Sequence, residues 1–146
     1  MPKQKYRYLE HTADAKFQAF GRSLDEAFKN SALAMLNLMC KSEAIKLKQE
    51  KKISVNGKDL KALLYNWLEE LLFLLDSENF IAGKIKNLEI SGKESNYKLE
   101  AMISGNNASA YKFFGEVKAV TYNDMSIKEE KKGKEKRFII QAVVDM

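Results

Sequence analysis

Two carboxylates and an imidazole crowd one short stretch, Glu10-His11-Thr12-Ala13-Asp14, and a third carboxylate stands at Asp145 beside Met146. Oxygen donors of this kind are what hard divalent cations prefer. If the strands that carry them were neighbours, Asp14, Asp145 and a terminal carboxylate at Met146 would converge on such an ion. Asp145 ends a run of continuous apolar character, where a carboxylate must be solvated, hydrogen-bonded or bound to a cation. The plainer alternative has Asp14 capping a turn and Asp145 in solvent. Residue types alone favour that alternative.

Other chemistries find less support. His11 is the only histidine and Cys40 the only cysteine. A disulfide framework is therefore excluded, as is a zinc site built from several Cys or His ligands. One unpaired thiol suits a reducing cytosol. Cys40 closes a Met- and Leu-rich stripe, the setting of a buried structural thiol rather than a nucleophile with His11 as its base. None of Gly57-Lys58, Gly83-Lys84, Gly92-Lys93 and Gly133-Lys134 has a glycine five residues upstream, and no G-x-G-x-x-G occurs. Phosphate-binding loops of both kinds are out.

The elements that must position these residues can be read from periodicity. Alternation around Tyr6, Tyr8, Phe17 and Ala19 predicts strands over 5–10 and 15–20. Ser23-Leu24-Asp25-Glu26 fits a capping box that starts a helix running to about Cys40. Residues 44–55 read as one interrupted strand or a strand pair, with Asn56-Gly57 as a turn. Asp59 can cap a second helix whose wide apolar face runs from Leu60 to Leu75. Leu88 to Ile103 suggests a hairpin turning near Ser91-Gly92-Lys93, while 105–115 carries no period. A last hairpin pairs 117–127 with 138–144. Two helices in the first half and strands in the second predict an α+β fold: one domain over 1–146, with the helices packed on a mainly antiparallel sheet.

The formal charge of +5 invites a nucleic-acid reading, and a basic RNA-binding or chaperone-like module is the alternative function. Its distribution argues against that. Residues 128–137 carry six basic and three acidic side chains around Gly133, the pattern of a solvated hairpin tip. They are rich in Lys rather than in Arg interleaved with aromatics. The opening residues lack the apolar stretch of a signal peptide, and the longest apolar run, 71–75, is far short of a membrane span. A cytoplasmic protein with no membrane partner is expected.

Four ordered segments carry a resemblance. They are Tyr8-Leu9-Glu10-His11-Thr12-Ala13-Asp14-Ala15 with Gly21-Arg22-Ser23-Leu24-Asp25-Glu26-Ala27-Phe28; Asp59 through Phe73, with Asn66-Trp67-Leu68-Glu69-Glu70 at its centre; Glu116-Val117-Lys118-Ala119-Val120-Thr121-Tyr122; and Ala142-Val143-Val144-Asp145-Met146. Together they resemble the archease family over nearly the whole chain. The resemblance implies a strand-helix-strand-strand type of α+β core and a non-enzymatic activator of RtcB-type RNA ligases. Those ligases use GTP and a divalent metal to join RNA ends in tRNA splicing and RNA repair. The activator promotes their guanylylation and repeated turnover, with an indirect contact to tRNA through the ligase.

The resemblance further implies a metal site at Asp14, Asp145 and Met146, with calcium as the expected ion and magnesium or manganese as alternatives. Lys118, with Asp14 and Asp145, is implied in ligase activation. The resemblance turns the balance toward the cation site, because the residue types meet the coordination requirement on their own. His11 then takes a supporting role, since hard cations do not prefer imidazole. Glu10 stays outside the ligand set. Two positions depart from the family pattern. Asn123 stands where the family often has His, and Met146 where it usually has Ile; a backbone oxygen at 146 does not depend on that side chain.

Overall fold

A tight polar break at Gly21-Arg22-Ser23 separates the opening strands from the first helix. The computed structural model describes residues 4–10 and 14–146. Its strands are β1 (Tyr6–Leu9), β2 (Asp14–Gly21), β3 (Gln49–Gly57), β4 (Phe80–Lys93), β5 (Asn96–Asn107), β6 (Ala119–Val120), β7 (Ser126–Lys132) and β8 (Glu135–Asp145). Two α-helices are interleaved, α1 (Leu24–Leu36) and α2 (Leu60–Glu78). Ser23 caps α1 by accepting from the Glu26 N–H, and the Glu26 carboxylate reaches back to the Arg22 N–H at 2.8 Å. Asp59 accepts from the Ala62 N–H at 2.7 Å to start α2. Both caps answer donors that a helix start otherwise leaves unpaired.

The strands form two antiparallel sheets rather than the single sheet expected. The larger runs β1-β2-β8, and the far edge of β8 is shared between β7, opposite residues 135–141, and β6, opposite 144–145. The smaller runs β3-β5-β4. Fully buried Phe17, Ala19, Ile140, Ala142 and Val144 of the larger sheet join Phe28, Met35, Leu63 and Trp67 of the helices and Leu99 and Ile103 of the smaller sheet in one core. The α+β class with helices on antiparallel sheets is as read from the sequence.

Several boundaries differ. Residues 42–44 form a 3-10 turn, and Ile45 turns inward to bury itself against Gly83, so β3 begins only at Gln49. Gly57 ends that strand instead of making a turn; a Cβ there would lie 2.5 Å from the Leu63 nitrogen, so the glycine allows α2 to approach. α1 stops at Leu36, and short-range turns carry the chain on to Cys40. β4 starts at Phe80, directly after Asn79 closes α2 in the left-handed conformation at φ 53°. The 117–127 strand is two pieces, because Thr121 anchors a turn between β6 and β7 through its hydroxyl on the Val143 carbonyl at 2.8 Å. The charged segment is the solvated tip of the β7–β8 hairpin, with Gly133 at φ 64°.

Candidate functional site

The register of β2 on β8 places Asp14 directly opposite Asp145. Side chains alternate along a strand, and Phe17 and Ala19 face the core. Asp14, Lys16, Gln18 and Phe20 therefore lie on the outer face, which carries no helix. Asp145, Val143, Gln141 and Ile139 are their partners on β8. Directly opposed residues have Cβ atoms about 4.5–5.5 Å apart, and like charges so placed disfavour the pairing unless something offsets them. Asp14 and Asp145 are each partly exposed. Asp14 and Asp145, from opposite ends of the sequence, are thus register partners at one end of one sheet face.

Around them the backbone is held closely. The Lys118 N–H donates to the Asp145 carbonyl at 2.8 Å, and Ala119 is the register partner of Asp145. Lys118 is exposed beside the pair. Asn123, where the family often has His, is exposed in the following turn. Lys16 reaches Asp124 of that turn at 3.3 Å, and Gln141 donates to the Asp124 carbonyl at 2.9 Å. Val143 is completely buried on this outer face. From there a ladder of side chains crosses the sheet, Gln18 donating to Gln141 at 3.0 Å and Arg7 to Gln18 at 2.8 Å.

A depression of about 600 Å³ flanks the pair, lined by Tyr8, Glu10, Asp14, Lys16 and Leu38. The Tyr8 hydroxyl donates to the Ala34 carbonyl at 2.9 Å, and burial, then neighbouring Tyr6, pushes its ionisation well above the ordinary phenol range. Met146 is 38% exposed and lies against Gly115, where a Cβ would come 3.3 Å from its Cε and 2.3 Å from the Leu38 carbonyl oxygen. Phe114, next to that glycine, is 65% exposed. Lys16 and Asp124 were not singled out from the sequence. Lys16 had a usable signal, since it lies two residues from Asp14 and so on the same face; Asp124 had none.

Among the described residues no three or more His, Cys, Asp or Glu side chains gather as a metal-holding group. His11, Thr12 and Ala13 lie outside the described residues. Asp14 and Asp145 together offer carboxylate oxygens only, a donor set that suits a hard cation and leaves room for further ligands. Cys40 is buried in the core, and burial pushes its thiol up. That makes it a poor nucleophile.

Residues 6–146 match the Archease protein family (MTH1598/TM1083). The chain belongs to the archease family. The archease of Methanosarcina mazei is 38% identical over the full length of both proteins, and that of Pyrobaculum calidifontis 40% identical over 97% of this chain and 95% of its own. The solution structure of Methanobacterium thermoautotrophicum protein 1598 superposes on this archease-family chain with a TM-score of 0.81 at 30% identity, covering 97% of this chain and 99% of that one. No helix among the described residues is long and apolar enough to cross a membrane.

Proposed function

We propose that this archease-family chain is a non-catalytic accessory protein that activates an RtcB-type GTP-dependent RNA ligase in the cytoplasm. It promotes guanylylation and multiple turnover of the ligase, through which it is brought indirectly to tRNA. The Asp14–Asp145 register pair is the observation that carries the reading. Two carboxylates facing one another at an open sheet end fit a divalent cation, calcium first and magnesium or manganese as alternatives, with a backbone oxygen of Met146 as a third donor. When bound, the ion would supply positive charge beside a nucleotide phosphate. The chain's own residues hold the geometry: Lys118 pins the Asp145 carbonyl through its backbone and leaves its ammonium in solvent next to the pair. Family membership supports the partner, and the failure of every nucleotide-binding motif supports the non-catalytic role.

Substoichiometric protein added to the cognate ligase, GTP, metal and RNA ends should raise ligase turnover, while the protein alone should not ligate or hydrolyse GTP. Asp145→Asn keeps size and hydrogen bonding but removes one charge. It should keep the circular-dichroism spectrum, weaken calorimetric cation binding at least about tenfold and reduce activation in parallel. Full activation by a chain that no longer binds the cation would make the pair merely structural.

A further inference from the structure

Some 24 Å along β2 from the carboxylate pair, by the strand rise, a second feature opens at the opposite end of the sheet. A groove of about 750 Å³ lies between the β7–β8 hairpin and the first turns of α1. Lys5, Arg22, Lys29, Lys132, Lys136 and Arg137 line it, against three carboxylates. Two of those are already engaged: Glu26 accepts from the Arg22 backbone N–H, and Glu130 pairs with Arg137 at 3.1 Å. Lys136 pairs with Glu129 at 2.7 Å, so Lys5, Arg22, Lys29 and Lys132 stand against Glu135 alone.

The kind of cation matters as much as the number. Only three of the 25 basic residues are arginines: Arg22 and Arg137 line the groove, and Arg7 stands over the ring of Phe20, which also lines it. Arg137 and Arg7 stand over the Phe20 ring at 5.1 and 5.9 Å from its centroid. Phe20 is only 9% exposed, so its ring orients the two guanidiniums rather than offering itself for stacking. One N–H of each is anchored, on Gln18 and Glu130, and the other donors of each fork are left over. A guanidinium held in this way matches phosphate oxygens geometrically.

We infer that this groove binds the phosphodiester backbone of a nucleic acid. Its cations come from the ends of four adjacent strands, β1, β2, β8 and β7, and from α1; at about 4.8 Å per strand the strand ends alone span roughly 15 Å. That suits a chain of phosphates better than one anion. Its lining is charged and polar, with its one aromatic ring covered. Protein interfaces centre on apolar residues and are depleted of charge at their core, whereas nucleic-acid interfaces are polar and strongly basic. The site is independent of the ligase-activation reading.

The test is fluorescence anisotropy of labelled oligouridylate and oligothymidylate of about 12 nucleotides, a length within the span that a small single-strand-binding fold covers. The intact protein should bind at low salt, with log affinity falling by roughly 0.7 per phosphate contact for each tenfold rise in salt. Comparison of the two oligomers separates RNA from DNA; binding of either supports the backbone assignment. Arg22→Gln with Lys29→Gln leaves the Phe20 stack untouched, and should weaken binding about tenfold and reduce the salt slope by roughly 1.4. Lys131→Gln with Lys134→Gln removes the same charge outside the groove and should cost much less. Equal losses in the two variants would reduce the effect to diffuse charge and overturn the site. So would an absence of binding by the unaltered chain, or Arg22- and Lys29-dependent binding of polyglutamate without binding of either oligonucleotide. Asp145→Asn should bind oligonucleotide normally, whichever way ligase activation falls.

Discussion

Single residues in the core of this protein share partners, and sharing sets what their loss costs. The Trp67 indole N–H donates to the Phe28 carbonyl at 3.0 Å, and the Ser31 hydroxyl donates to the same oxygen at 2.6 Å. All three residues are fully buried. Ser31→Ala leaves the carbonyl served by Trp67 and should cost about 1 kcal/mol. Trp67→Phe keeps Ser31 in place but opens space, and should cost about 2 kcal/mol. Together they strip both side-chain donors from one buried oxygen, so the double variant should lose more than the sum. Urea unfolding followed by circular dichroism measures the cycle without relying on the single tryptophan. Simple additivity would show that the two donors do not compensate for one another.

At the scale of elements, the helix that ends on Asn79 gives the cleanest test of local geometry. Asn79 sits at φ 53°, its N–H on the Leu74 carbonyl and its side chain donating to the Ser109 hydroxyl at 3.0 Å. Asn79→Ala forces a Cβ into the left-handed region without the amide and should cost about 1–2 kcal/mol. Asn79→Gly should cost markedly less, because glycine adopts that region freely. Thermal unfolding should place the alanine variant several degrees below the glycine one. Local signals of this sort were legible in the sequence: Ser23, Glu26 and Asp59 announced both helix starts because a cap needs only its own turn. β6 was not, since a two-residue strand exists only because β8 offers it an edge. The early start of β4 was hidden too, because the left-handed exit at Asn79 leaves no loop to mark it. At the site, Asp14 and Asp145 could be named as candidates from their residue types, but their place opposite one another depended on which strands lay together. The groove was illegible for the same reason. Its arginines stand at 7, 22 and 137, so no linear window interleaves them with Phe20.

On the scale of the whole molecule, strand directions decide how it yields to force. β1 and β8 both run antiparallel to β2, so they point the same way, and residues 4 and 146 lie at opposite ends of the larger sheet. Tension applied between those residues first loads β1 against β2 along the strands, and the four register pairs from Tyr6 to Leu9 must give way together. Once β1 is gone, the load passes to Asp14 and Asp145, which lie at the same end of their ladder. The remaining pairs from Ala15–Val144 to Gly21–Phe138 then open one after another, like a zipper whose slider is the carboxylate pair. Single-molecule pulling on handles at 4 and 146 should show a brittle first event followed by a softer one. Calcium should raise the force of the second event relative to a chelator and leave the first unchanged, because only the second begins by parting the two groups that would share the ion. The same sheet is thus stiff toward one end of its chain and releasable from the other, and the proposed cation would act as the latch.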